Sequence, residues 1–148
     1  MLEVKIFTLY PDLFPGPLDI GIFKKAKQNK IWNLKVINIR DYSKDNHGTV
    51  DDTPFGGGSG MLLRPDILAS ALDKNIKKGE RIIYLSPRGK KFDQNVARSL
   101  SKEKNLNLIC GHFEGVDQRL LETRNIEEYS LGDFILSGDE PASFVLVD

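Results

Sequence analysis

Four short apolar runs, each followed by polar turn residues or by a stretch of helical period, constrain this chain more than any other feature. They are Leu2 to Leu9, Leu34 to Ile39, Arg81 to Leu85 and Leu106 to Cys110. Strands apolar on both faces belong in a parallel sheet covered on both sides, and strand–helix–strand order implies neighbours joined by right-handed crossovers. Between the runs the spacing predicts a helix over Pro17 to Asn29 carrying Leu18, Ile22, Phe23 and Ala26, and another from Arg64-Pro65-Asp66 to about Ile76 carrying Ile67, Leu68, Ala71 and Leu72. A third covers Asp93 to Lys104 with Asp93 as its cap, and a short one covers Asp117 to Thr123. Phe134 to Leu136 reads as a short strand or a buried apolar turn. The expected class is α/β, one parallel sheet flanked by helices, in a single domain spanning 1–148. Because the chain stops inside the apolar stretch Ala142 to Val147, a helix or strand, it is expected to be the amino-terminal portion of something longer or a curtailed variant.

Open α/β sheets bind ligands beyond the carboxyl ends of their strands. Ile82 to Gly89, Leu106 to Gly115 and Tyr129 to Glu140 each pass from apolar residues into Gly, Pro, Ser or acidic residues, so three loops are expected to converge on one pocket. Glu114, in a turn between Gly111 and Gly115 and beside Phe113, either accepts from a nucleobase edge or stands as a solvated carboxylate. Tyr42 to Leu63 has little periodicity and contains Thr53-Pro54-Phe55-Gly56-Gly57-Gly58-Ser59-Gly60. Such a run lets backbone amides approach a phosphate or nucleobase, or serves as a lid, and the missing GxxxxGK[ST] argues against an ATP-type phosphate loop. The lack of GxGxxG after the first strand likewise argues against a dinucleotide enzyme.

Two histidines, His47 and His112, and one cysteine cannot complete a zinc site, so no metal is expected. Cys110 reads as a small core residue, since a Cys110–His112 pair has no third group to orient it. His112 itself is either a nucleic-acid contact or a surface residue. The 21 basic and 21 acidic residues cancel, so net charge does not decide for or against a polyanionic partner. Lys77, Lys78, Arg81, Arg88, Lys90 and Lys91 form one basic cluster and Lys24, Lys25, Lys27 and Lys30 another, which either meet phosphates or face solvent. From Glu114 onward the only cations besides histidine are Arg119 and Arg124, an acidic bias that favours a cationic ligand. A lone cysteine and the absence of a signal or apolar span point to the cytoplasm, with no membrane.

Four motifs, Thr49 to Met61, Tyr84 to Gly89, Ile109 to Gly115 and Tyr129 to Gly138, together resemble the bacterial tRNA (guanine-N1)-methyltransferases of the SPOUT superfamily over almost the whole chain. The resemblance implies a sheet with a deep trefoil knot, a homodimer, and methyl transfer from S-adenosylmethionine to N1 of the guanosine just 3′ of the anticodon of tRNA. It places the cofactor among Tyr84, Leu85, Ser86, Pro87, Gly111, Phe113, Leu131, Gly132, Asp133, Phe134, Ile135, Leu136 and Gly138. Leu85, Pro87, Ile135 and Leu136 would make an apolar slot for adenine, and Gly111, Gly132 and Gly138 would leave it space. Glu114, Gly57, Gly58 and Gly60 would hold the flipped base. The family's catalytic aspartate and helical tRNA-binding domain would lie beyond Asp148, so the catalytic residue is unassigned. On that ground residues 1–148 alone are expected to bind cofactor and to methylate tRNA very slowly or not at all, and a non-catalytic binding remnant is the alternative. Where the family usually has a second glycine after Ser-Gly, this chain has Asp139, followed by Glu140 and an early Pro141.

Overall fold

A computed structural model describes residues 1–43, 51–52, 62–112 and 115–148. The chain runs β1 (Leu2–Thr8), α1 (Ile22–Gln28) and β2 (Trp32–Asn38), then a short pair, β3 (Asp51–Asp52) and β4 (Leu62–Leu63). It continues α2 (Pro65–Asn75), β5 (Arg81–Lys91), α3 (Gln94–Ser101), β6 (Asn105–Ile109), α4 (Gln118–Thr123), β7 (Glu127–Ser130) and α5 (Glu140–Val147). Five strands form one sheet in the order β2-β1-β6-β5-β7, parallel throughout, while β3 and β4 pair antiparallel beside it. This is the α/β class expected from the sequence.

Alternation along the strands divides the core into two layers. Val4 and Ile6 of β1, Ile83 and Leu85 of β5, Leu106 and Leu108 of β6 and Cys110 just after it face one side, with Leu100 of α3 and Ala142 and Leu146 of α5, while Phe23 and Ala26 of α1 pack against them. Phe7, Ile82, Tyr84 and Ile109 face the other, under Ile67, Leu68, Ala71 and Leu72 of α2 and Leu120 and Leu121 of α4. Each fully buried aliphatic or aromatic side chain contributes roughly 1.5–3 kcal/mol, so a polar residue on either face of a central strand needs a specific partner. Asp93 caps α3 by accepting from Val96 N–H (2.9 Å), and Asp117 caps α4 by accepting from Arg119 N–H (2.9 Å).

Three expectations are corrected. α1 begins at Ile22, not Pro17, because Gly21 sits at φ +62, ψ −130, a backbone conformation that only glycine adopts easily; the preceding Gly16–Asp19 forms a separate 3-10 turn. β5 does not stop at Leu85 but resumes after a bulge and runs to Lys91, since Leu85 and Lys90 both face Tyr129 of β7. Phe134, Ile135 and Leu136 form neither strand nor buried turn: they are 52%, 87% and 39% exposed. The segment Ala142 to Val147 is helical, with Pro141 in the first turn of α5, where its missing N–H costs nothing.

Candidate functional site

The bulge in β5, the turn after β6 and the segment between β7 and α5 meet at the carboxyl edge of the sheet. Ser86 to Gly89 leave the strand together, and Ser86 Oγ donates to Glu128 of β7 (2.6 Å) while accepting from Arg88 N–H (3.2 Å). At Gly89 the backbone lies so close to Tyr129 and Glu128 that an added Cβ would come within 2.5 Å of Tyr129 N. On the other side, Gly111 and Asp139 clasp each other: Gly111 N–H donates to Asp139 Oδ2 (2.9 Å) and Asp139 N–H donates to Gly111 O (3.1 Å). His112 and Gly138 form an antiparallel bridge one step further out.

Between these segments lies a cavity of about 340 Å³, lined by Tyr84, Leu85, Ser86, Pro87, Arg88, Gly111, His112, Gly115, Ile135, Leu136, Ser137 and Asp139. That size suits a drug-sized ligand. A smaller recess adjoins it, formed by Leu85, Ser86, Pro87, Ser130, Leu131, Gly132, Phe134, Leu136, Asp139 and Ala142. Leu85, Pro87, Ile135 and Leu136 thus stand on one wall. Asp133 does not: it is exposed and borders a separate depression with Gly89, Lys91 and Phe92. Phe113, Glu114, Gly57, Gly58 and Gly60 lie outside the described residues. The segments flanking the glycine run are nonetheless held near the site, since Asp52 pairs with Leu62 and Leu63 N–H donates to Gly115 O (3.3 Å).

The glycines of the site stand where a side chain would meet close neighbours. A Cβ at Gly111 would lie 2.6 Å from the Tyr84 ring and 3.1 Å from Asp139 Oδ2; at Gly132 it would meet the Phe134 ring at 2.4 Å; at Gly138 it would strike the His112 imidazole at 2.1 Å. Each makes room for a neighbouring side chain, while Gly111 also lines the cavity and Gly132 the recess.

Beneath the wall is a polar knot of side chains that local sequence pattern did not reveal. Glu140, 1% exposed, accepts from Thr8 Oγ1 of β1 (2.7 Å), and both its oxygens lie within 2.8 Å of His112 Nε2. A buried carboxylate needs such partners, and these tie three separate segments, β1, the β6 turn and the start of α5, to one point. His112 also lies against Tyr10, ring centroids 4.9 Å apart. Asp139, next to Glu140, has its acidity weakened to a pKa of about 6, first by burial and then by the Glu140 charge, against the Gly111 hydrogen bond and His112. The Tyr84 phenol is pushed up to about 12 by burial and by Asp139 and Glu128. Burial also raises the Cys110 thiol well above its usual range, which leaves it a protonated core residue and no nucleophile.

The basic clusters are partly spent on structure. Arg81 binds Glu127 through two hydrogen bonds (2.9 and 2.7 Å), and Lys27 pairs with Asp19 at 2.8 Å while lying over Trp32. Arg88 is the cation of the cluster that lines the cavity. Among the described residues, no helix is long and apolar enough to cross a membrane.

A parallel α/β domain with a cavity at its strand ends, apolar on one wall and acidic at its base, is the architecture of a nucleotide- or cofactor-binding domain. Comparison with known proteins is more specific. The profile of the family described as tRNA (Guanine-1)-methyltransferase TrmD matches residues 2–148, and the chain belongs to that family. It is 68% identical over 148 residues to the tRNA (guanine-N(1)-)-methyltransferase of Pelagibacter ubique (strain HTCC1062), covering 100% of this chain and 65% of that protein. The enzymes of the same name from Wolbachia pipientis subsp. Culex pipiens (strain wPip) and Bartonella tribocorum are each 47% identical, over 99% of this chain and 64% and 62% of theirs. The chain therefore spans a little under two thirds of the length of these curated relatives.

Proposed function

We propose that residues 1–148 form the S-adenosylmethionine-binding domain of a tRNA methyltransferase that acts on N1 of the guanosine next to the anticodon. The observation that carries this reading is the convergence of the β5 bulge, the β6 turn and the β7–α5 segment on one cavity of suitable size, in a chain of this family. The residues fit the cofactor: Leu85, Pro87, Ile135 and Leu136 offer an apolar wall for adenine, backbone groups of the bulge and turn offer partners for its polar edge, and Asp139 offers a carboxylate toward a cation. Exposure of 87% at Ile135 is the mark of a surface meant to be covered. When bound, the cofactor supplies an electrophilic methyl group on a sulfonium.

In this reading Tyr84, Ser86 and Gly111 fix the cavity's shape, Leu131, Gly132, Phe134 and Gly138 brace its rim, and Phe113 and Glu114 are further contacts toward cofactor and base. Gly57, Gly58 and Gly60 approach the tRNA from the run that begins beside Asp52. The deep trefoil knot, the homodimer and the cytoplasmic location belong to the same proposal, supported by the family membership and the lone, buried Cys110. Isothermal titration with S-adenosylmethionine and with NADH tests the cofactor: binding of the first and not the second is expected, and the reverse would end the proposal. Methyl incorporation into guanosine-containing tRNA, in single turnover with saturating protein, tests the reaction. Very slow transfer by residues 1–148, or none, is expected, because the resemblance assigns the general base to a segment outside them.

A further inference from the structure

Among the described residues Asp139 is the one carboxylate that lines both the cavity and its adjoining recess. Its position is fixed by reciprocal hydrogen bonds with Gly111, whose N–H donates to Oδ2 and whose carbonyl accepts from the Asp139 N–H. The other oxygen, Oδ1, accepts no hydrogen bond from a described residue, yet it is not sealed from solvent. A carboxylate held at one oxygen and open at the other presents its free lone pairs to the ligand space. The charges around it leave that oxygen seeking a cation. Glu140 of α5 stands beside it, the Tyr84 phenol of β5 lines the same cavity, Glu128 of β7 holds Ser86 of the lining, and the buried Cys110 thiol lies close enough to feel the Asp139 charge. The cationic candidates are His112, whose Nε2 is engaged with Glu140, and Arg88 in the bulge.

Resting on the cofactor reading above, we propose that Asp139 reads the charge of the bound sulfur, holding the cationic sulfonium of S-adenosylmethionine more tightly than the neutral thioether of S-adenosylhomocysteine. The two ligands differ by one methyl group and one positive charge. An apolar wall discriminates weakly on a methyl, whereas a carboxylate in a partly buried site acts directly on the charge. The preference exists only while Asp139 is ionised. With a pKa of about 6, it is largely present at neutral pH and fades in mild acid. Sulfonium binding stabilises the ionised form, so uptake of S-adenosylmethionine near pH 6 releases a proton and uptake of the thioether does not. After methyl transfer the contact is lost, which favours exchange of product for fresh cofactor.

The test is calorimetric titration of the whole chain and of Asp139→Asn with both ligands, from about pH 5 to about pH 8. In the parent chain the ratio of affinities, sulfonium over thioether, is expected to rise about tenfold across that range, the change that one unit of pKa shift on binding corresponds to. Asp139→Asn, which keeps an acceptor for Gly111 N–H, is expected to bind both ligands with a ratio independent of pH. Asp139→Gly should behave the same way and guards against an effect peculiar to the amide. His112 remains in both variants, so pH dependence of the ratio that survives them belongs to a group other than Asp139 and overturns the proposal. A flat ratio in the parent, with both ligands bound, overturns it too. Failure of either ligand to bind the parent at any pH defeats the cofactor reading itself and this inference with it.

Discussion

The two ends of the sheet handle charge in opposite ways. At the amino end opposite charges are matched: Arg81 holds Glu127, Arg124 holds Asp73 (2.9 and 3.0 Å), and Lys5, buried within β1, donates to Asn75 O (2.8 Å) and lies 3.6 Å from Glu80. At the carboxyl end two carboxylates, Asp139 and Glu140, sit side by side, partly buried and fully buried, with one imidazole between them and exposed apolar residues above. Matched pairs serve stability at modest gain, whereas adjacent buried carboxylates cost stability and persist where a site needs them. If this contrast is sound, substitutions at the carboxyl end should be large and bound up with ligand binding, and those at the amino end small and separate from it.

The largest effect is expected at Gly89. A side chain there meets backbone atoms of Glu128 and Tyr129 at 2.5–2.6 Å, and backbone cannot swing aside as a side chain can. Gly89→Val should cost about 3 kcal/mol or more and lower the unfolding midpoint sharply in urea, together with loss of cofactor binding as the bulge is pushed open. Next is Glu140→Ala, which leaves Thr8 and His112 without their shared partner in a closed interior; about 2–3 kcal/mol should be lost, with Glu140→Gln recovering part of it through the Thr8 hydrogen bond. Near-parental stability in Glu140→Ala would show that the polar knot does not brace the wall, and the contrast between the ends would weaken accordingly.

These two positions also mark where sequence reading reached and where it stopped. Strands β1, β2 and β6, the first half of β5 and the helices α2, α3 and α4 were legible because apolar runs, the 3.6-residue pattern, proline in a first turn and Asp93 as a cap are local signals. The convergence of three loops was expected from three apolar stretches that each pass into Gly, Pro, Ser or acidic residues at a strand's carboxyl end. The bulge after Leu85 was not legible, since Ser86-Pro87-Arg88-Gly89 reads as a strand ending in a turn, and only the pairing of both Leu85 and Lys90 with Tyr129 reveals that the strand resumes. The exposure of Phe134, Ile135 and Leu136 runs against the ordinary rule that apolar clusters are buried, and under the proposed reading the cofactor covers them. Thr8, His112 and Glu140 are spread along the chain from β1 to α5, and no spacing rule joins them. The glycines were recognised as spacers, but what they make room for depends on which ring points inward, a matter of packing.

A smaller effect, of opposite sign, is expected at Asp139. Its folded-state pKa of about 6 lies above the ordinary 3.8, so between those values the folded chain binds a proton that the unfolded chain does not, and stability falls as pH rises through the window. Asp139→Asn removes that loss. Allowing for partial exposure, the variant should be more stable than the parent by about 1 kcal/mol at neutral pH and indistinguishable from it below about pH 4. Equal stability at all pH values would mean that the site's acidic base carries no strain, against the comparison drawn above.

The smallest effect is predicted for Glu127→Gln at the amino end, and its pH dependence runs the other way. Hydrogen bonds from the Arg81 guanidinium hold the Glu127 carboxyl below its usual range, with burial opposing and the Arg81 charge assisting. A group whose folded pKa is depressed contributes stability that is fully present above its unfolded value and is lost as pH falls through the folded one. The parent should therefore exceed Glu127→Gln by about 0.5–1 kcal/mol at neutral pH, as expected for a half-exposed bidentate pair, with the margin closing in acid below about pH 4. High salt should narrow it as well, since the pair is open to solvent. Cofactor affinity should not change, because Glu127 opens β7 at the end opposite the cavity and lines neither the cavity nor its recess. A loss of S-adenosylmethionine affinity in Glu127→Gln, at unchanged fold, would show that β7 transmits charge or strain from one end of the sheet to the other, and the two ends could no longer be treated as separate.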